Sequence, residues 1–226
     1  MKSYHTMLDR VCNSIISGNL EYKDTIIIGD NSSGKSDVLK RLIQNDEEEK
    51  FYFIDAVNRY FDIEQITPDP VQKINYSKEI NKQRLDEDTF NYKDTFYYGG
   101  TPRAIEDFYV NYSSQIKALM DEFLDISFSI CQGEVGWNAY INEVRVDLSS
   151  GYQALIRIFI EILYFWDTKS SGTIVIDEVD EFLSVKNSGR VLTFLKEKFP
   201  QLHFIVTTHS ADLIANAEDT NLILLY

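Results

Sequence analysis

One octapeptide constrains this chain more than any other feature. Gly29-Asp30-Asn31-Ser32-Ser33-Gly34-Lys35-Ser36 fits the pattern G-x-x-x-x-G-K-[ST] and follows the apolar run Thr25-Ile26-Ile27-Ile28. A continuous β-branched run reads as a strand buried on both faces. Val38, Leu39, Leu42 and Ile43 then share one helical face up to Gln44. A strand, a glycine loop and a helix in this order make a phosphate cradle. The glycines allow backbone angles that other residues disfavour. Successive amide N–H groups then point inward at the positive end of the helix dipole. Lys35 would reach the β and γ phosphates, and the Ser36 hydroxyl would hold Mg²⁺. Small Asn31, Ser32 and Ser33 permit close approach. With Gly29, Gly34 and Asp37 in the first helical turn, they complete the expected nucleotide-contacting set.

A second strand carries the complementary acids. Thr173-Ile174-Val175-Ile176 runs directly into Asp177-Glu178. In a doubly wound sheet this places Asp177 at a strand tip beside the phosphate loop, as a Mg²⁺ ligand. Glu178 would face the γ phosphate as a base or water-positioning group. Asp180 and Glu181 follow, so a merely solvated acidic strand end is the plainer alternative. His209 lies in Val206-Thr207-Thr208-His209-Ser210, just after the strand His203–Thr207, and falls on the same sheet edge. An imidazole there can hydrogen-bond a γ phosphate. Ser210 is also a sound helix N-cap before Ala211.

The rest of the chain supplies the frame. Apolar residues from Tyr4 to Ile16 recur at helical spacing, with Gly18 as a stop. Phe51–Ile54 reads as a strand. Residues 62–100, with Pro68 and Pro70, read as an irregular insertion containing one or two short helices. Thr101-Pro102 reads as the start of a helix reaching Phe123. Ile126–Ile130 and Ala139–Leu148 read as paired strands. Tyr152–Trp166 is a nearly all-apolar, buried helix. A helix at Val191–Lys198, a short helix from Ala211 and a strand at Leu222–Leu225 close the chain. This alternation predicts an α/β class. It also predicts one domain over residues 1–226, with an inserted helical or irregular lobe at about 58–125.

Charge narrows the partners. Lysine and arginine total 22 against 36 aspartates and glutamates, a formal net charge of −14. Such a chain does not coat nucleic acid through bulk charge. A local basic patch stays open, because Arg59, Arg84, Arg103, Arg145, Arg157 and Arg190 are free to meet in space. Cys12 and Cys131 form no zinc or disulfide pattern and read as ordinary buried thiols. The most apolar run, Ile156–Trp166, is interrupted by Arg157 and Glu161 and is too short for a membrane span. The N-terminus lacks the apolar core of a signal peptide. The expectation is a soluble, cytoplasmic protein with no membrane contact.

The segment Leu148-Ser149-Ser150-Gly151-Tyr152-Gln153 precedes the apolar helix. Alone it is a helix cap. Behind the phosphate loop and ahead of Asp177-Glu178 and His209, it resembles the LSGGQ signature of ATP-binding-cassette (ABC) ATPases. The loop GDNSSGKS and the TTHS segment are most similar to the soluble SMC-, RecF- and OLD-like branch, which includes small ATP-binding proteins of DNA repair and phage defence. The resemblance implies a P-loop NTPase fold with an ABC-type head, a mostly parallel core sheet plus antiparallel strands. It implies ATP and Mg²⁺ as cofactors, held by Lys35, Ser36 and Asp177, with Glu178, His209 and Lys35 in catalysis. It further implies two heads clamping two ATP molecules, so that Ser149, Ser150 and Gly151 of one subunit face the γ phosphate held by Lys35 of the other. Ser150 replaces the second signature glycine, and Tyr152 the residue after Gly151. Val179 and Ser184 stand where soluble members carry a proline and a histidine. The family's Mg²⁺-sensing glutamine has no evident counterpart among Gln65, Gln72 and Gln83.

These features predict Mg²⁺-dependent ATP hydrolysis by a homodimer or heteromer joined through its ATP sites. The dimer would act as a switch on a protein effector or nuclease in bacterial defence or DNA repair. Two alternatives stand beside it: the nucleotide-binding subunit of a membrane transporter, and a non-hydrolysing scaffold that keeps its ATP.

Overall fold

Strands with continuous apolar runs need cover on both faces, and most of the sheet receives it here, while Leu222 and Leu224 of the last strand stay exposed. The computed structural model describes residues 2–46, 48–57, 59–85, 96–98 and 101–226. Five strands form one parallel sheet: β1 (Asp24–Gly29), β2 (Phe51–Ile54), β8 (Gly172–Ile176), β9 (Leu202–Thr207) and β10 (Thr220–Leu225). Their spatial order is β10-β1-β9-β8-β2, so β9 separates the phosphate-loop strand from the acidic strand.

Neighbouring residues of each strand feed opposite cores. On one face, Ile27, Phe53, Val175, Ile205 and Leu225 pack with Leu8 and Cys12 of α1 (Lys2–Ile16) and with Val38, Leu39 and Leu42 of α2 (Lys35–Gln44). On the other, Ile26, Tyr52, Ile174, Ile176, Phe204 and Val206 pack against α4 (Tyr109–Leu124), α5 (Ser150–Lys169) and α7 (Val191–Lys198). The middle of α5 is buried all round, as its composition requires.

Arg157 and Glu161 interrupt that apolar helix with charge one turn apart, and the fold buries both. Arg157 Nε bonds Glu161 Oε1 at 2.8 Å, and Arg84 Nη1 bonds Glu161 Oε2 at 2.7 Å. The Tyr52 hydroxyl donates to Glu161 Oε2 at 2.8 Å. Burial works to raise the Glu161 carboxyl, but the Arg84 and Arg157 guanidiniums override it and hold the carboxyl below its usual range. Arg84 belongs to α3 (Ser77–Leu85), the one α-helix among the described residues of the irregular insertion, which lies against the outer edge of β2. There Asn81 stands in for a neighbouring strand. Its side chain accepts from Phe53 N at 2.9 Å and donates to the Phe51 carbonyl at 2.8 Å.

The structure corrects several expectations. Thr101–Arg103 is a short strand, β4, antiparallel to β3 (Phe96–Tyr98), and not a helix start. A residue before proline is driven toward extended backbone. Asp107 does the capping instead, accepting the Ala104 N–H at 3.2 Å, and α4 follows from Tyr109. The stretch Ala139–Leu148 is two strands, β6 (Trp137–Ile141) and β7 (Val144–Val146). They turn at Asn142 and Glu143, whose φ values are 50° and 67°. With β5 (Phe128–Gln132) they form a separate antiparallel sheet. Cys131 is exposed on β5, whereas Cys12 is buried. A one-turn helix, α6 (Val185–Ser188), was not expected, since four polar-rich residues carry no periodicity. The last helix, α8, spans Ala211–Asn216. Residues 86–95, within the expected irregular stretch, lie outside the described residues. No helix among the described residues is long and apolar enough to cross a membrane.

Candidate nucleotide site

The phosphate loop joins β1 to α2 with two residues in the left-handed region, Ser32 at φ 66° and Gly34 at φ 97°. The loop closes tightly. A Cβ on Gly29 would collide with the Ser33 hydroxyl and approach the Leu225 carbonyl to 2.8 Å. The buried Lys35 ammonium folds onto its own loop, bonding the carbonyls of Gly29 at 2.9 Å and Asp30 at 3.1 Å. Ser33 Oγ is buried without a hydrogen-bond partner among the described residues. A cation held by loop carbonyls and an unused buried hydroxyl, at a helix N-terminus, suit a polyphosphate guest.

The loop has one neighbour that the periodicity of α1 did not single out as functional. Tyr4 packs over Gly34, and its hydroxyl donates to the Asp37 carboxylate. That bond, with burial and the Asp37 charge adding to it, pushes the Tyr4 phenol up to about 12. Asp37 therefore has a protein partner at the mouth of the loop.

The acids arrive from β8, two strands away. Asp177 is buried at the strand tip, and its N–H bonds the Ile54 carbonyl at 2.9 Å. Glu178 turns out of the strand at φ 50°. Its Oε1 lies 3.7 Å from His209 Nε2. Burial raises the Glu178 carboxyl above its ordinary range. The Asp177 and Glu181 carboxylates add to the rise, while His209 and Lys35 oppose it. Lys35, Asp177, Glu178 and His209 thus share one local field at the C-terminal edge of one sheet, where open parallel sheets place ligands. Ser36 and Asp177 offer hard oxygen donors of the kind Mg²⁺ takes. Below them lies Arg59, fully buried, with Nη2 on the Asp177 carbonyl at 2.6 Å. Burial lowers the Arg59 pKa to about 10.

Ser149, Ser150 and Gly151 sit at the start of α5. Ser149 is the N-cap, accepting the Tyr152 N–H at 3.4 Å. They line a hollow of about 340 Å³ with Phe182, Leu183, Ser184 and Asn187, and no phosphate-loop residue lines it. A Cβ on Gly151 would stand 2.9 Å from the Phe182 carbonyl, so glycine is needed for that approach. Within one protomer the serine segment faces the loop after the acids. Phe182 is half exposed there, at φ 65°.

Among the described side chains, the scattered arginines do not build a basic surface together; that of Arg103 lies outside them. Arg59, Arg84 and Arg157 are buried in the interior, while Arg145 is exposed and Arg190 stacks on Phe123 at 5.0 Å. Gln65 donates to Asp62 at 3.0 Å beside the short 3-10 turn Ile63–Gln65.

No family model matches the chain. The Septu protein PtuA of Bacillus mycoides (strain KBAB4) is 33% identical over 69 residues, covering 28% of this chain and 10% of that protein. The chain therefore matches only about a tenth of this curated relative's length. Among solved structures, the SMC head domain from Thermotoga maritima aligns with 86% of this chain and 83% of its own, at 18% identity and a TM-score of 0.44. An SMC head bound to the C-winged helix domain of ScpA aligns with 86% of this chain and 84% of its own, at 16% identity and a TM-score of 0.44. The chain is similar to these SMC head domains, and in one segment to PtuA.

Proposed function

We propose that this protein is an ATPase head that binds Mg²⁺-ATP, pairs with a second head through the nucleotide, and separates after hydrolysis. One observation carries the reading: the phosphate loop, Asp177, Glu178 and His209 converge on one edge of the parallel sheet from three different strands. Lys35 leaves its loop carbonyls for the β and γ phosphates, and the loop amides take the remaining oxygens. Ser36 and Asp177 would hold Mg²⁺, which would supply charge neutralisation on the phosphates. Glu178 accepts the proton of the attacking water, and the burial and neighbouring carboxylates that raise its pKa favour that uptake. His209, close to Glu178, contacts the γ phosphate. Ser149, Ser150 and Gly151 of the facing head complete the site. No phosphate-loop residue lines the hollow they form within one protomer, which favours this use in trans.

The output is a partner protein. We assign an effector or nuclease of bacterial defence or DNA repair, on the resemblance of the motifs to that branch and the local similarity to PtuA. The net charge of −14 gives nucleic acid no bulk attraction. The deciding experiment is light scattering with Mg²⁺-ATP. Glu178→Gln accumulates as an ATP-bound dimer while the wild type cycles, with turnover at least about 100-fold slower in the variant. A variant that stays monomeric at high concentration with ATP ends the paired-head reading for this chain.

A further inference from the structure

Among the described residues, one side chain ties the Asp177 carboxylate to the Glu178 backbone. Thr207 closes β9, the strand between β1 and β8, and it is fully buried. Its hydroxyl donates to Asp177 Oδ1 at 2.6 Å and accepts the Glu178 N–H at 2.7 Å. Its carbonyl accepts the Val179 N–H at 3.1 Å. A hydroxyl has a single proton, and here the carboxylate takes it. The bond restrains the plane of the Asp177 carboxylate and engages Oδ1, leaving Oδ2 outside it. The two bonds at Glu178 and Val179 hold the left-handed turn that brings Glu178 to His209. The adjacent pair repeats the stitch, since the Thr208 hydroxyl donates to Asp180 and accepts the Ser210 N–H at 2.9 Å.

We infer that Thr207 is a positioning residue of the ATPase site, setting the Asp177 carboxylate for the metal and the Glu178 turn for the attacking water through one hydroxyl. This rests on the ATPase reading above. It assigns to Thr207 a role separate from fold stability: the sheet register of β9 is made by backbone, while the hydroxyl serves the two acids.

The test replaces the hydroxyl by a methyl. Thr207→Val lowers kcat about 10- to 100-fold, with KM for ATP and Mg²⁺-free nucleotide affinity within about threefold of wild type. Mn²⁺ in place of Mg²⁺, followed by electron paramagnetic resonance of the ATP complex, binds about tenfold more weakly. Thr207→Ser restores both to within about threefold, because it keeps the proton and the lone pairs. Where valine lowers Tm by more than about 5 °C, Thr207→Ala is measured below its Tm with the same expectation. The inference is overturned if the valine form keeps kcat and Mn²⁺ affinity within about threefold, if serine is as impaired as valine, or if the loss follows Tm alone. A wild type that hydrolyses ATP, a dead Glu178→Gln and an unimpaired Thr207→Val would sink Thr207 only. A wild type that neither binds nor hydrolyses ATP would sink both readings.

Discussion

Two clusters of charge occupy this molecule, and they are built on opposite rules. Inside, Glu161 lies between Arg84 and Arg157 and also accepts from Tyr52, so opposite charges and hydrogen bonds surround a fully buried carboxylate. At the sheet edge, Asp177, Glu178, Asp180 and Glu181 crowd like charges together, with Lys35 and His209 as the nearby counterweights. The interior cluster lowers its carboxyl's pKa, and the edge cluster raises Glu178. The edge also concentrates left-handed backbone, at Ser32, Gly34, Glu178 and Phe182. A saturated cluster holds a fold together. An unsaturated, like-charged and conformationally strained one is primed for a ligand that brings the missing charge.

Breaking the interior cluster has the largest expected effect on stability. Glu161→Gln removes the carboxylate that Arg84 and Arg157 share, leaving Arg157 its weaker pair with Glu106 at 3.3 Å, and costs about 3–5 kcal/mol in chemical denaturation. The sign with pH follows from the lowered carboxyl. Its stabilisation is present above the unfolded glutamate value of about 4.3 and is lost as pH falls through the folded value, so the gap between wild type and variant closes in acid. Equal stability of the two proteins at pH 7 would make the cluster decorative.

The cap of α5 is the next test. Ser149→Ala removes the acceptor for the Tyr152 N–H and costs about 1 kcal/mol. If Ser149 also serves a facing head, ATP-dependent pairing weakens by more than this stability loss explains, as read by sedimentation with and without nucleotide.

The smallest effect sharpens the contrast most. Glu178→Gln, without nucleotide or metal, slightly raises thermal stability at pH 7, because it removes a carboxylate that folding disfavours. The raised carboxyl stabilises the fold below about pH 4.3 and loses that contribution as pH climbs through the folded value, so the advantage of glutamine fades in acid. The two variants thus differ from wild type in opposite directions at neutral pH. A Glu178→Gln protein less stable than wild type at pH 7 would show that the edge is a structural cluster like the interior one.

Much of this was readable before any fold. The run Thr25–Ile28 announced a strand buried on both sides, GDNSSGKS announced the loop, and Ile176-Asp177-Glu178 announced a strand tip. Each is a local pattern whose physics needs only neighbours in sequence. Arg157 and Glu161, four residues apart in an apolar helix, carried a signal of pairing that the interrupted hydropathy alone did not express. Thr101-Pro102 misled because a threonine–proline step serves an extended edge as readily as a helix start. The turn at Asn142 and Glu143 went unread inside an apparently continuous strand.

What the sequence determined by itself was the set of elements and the inventory of chemistry, since periodicity and motif spacing follow from backbone geometry. Only tertiary structure decided the strand order β10-β1-β9-β8-β2. That order inserts β9 between loop and acids. It makes Thr207 the bridge, while the packing of α1 on α2 brings Tyr4 to Asp37 and the burial of Arg59, Arg84 and Arg157 takes them away from a shared surface. The reason is that such contacts join residues 30 to 120 positions apart, and no local preference encodes a partner that arrives from across the sheet.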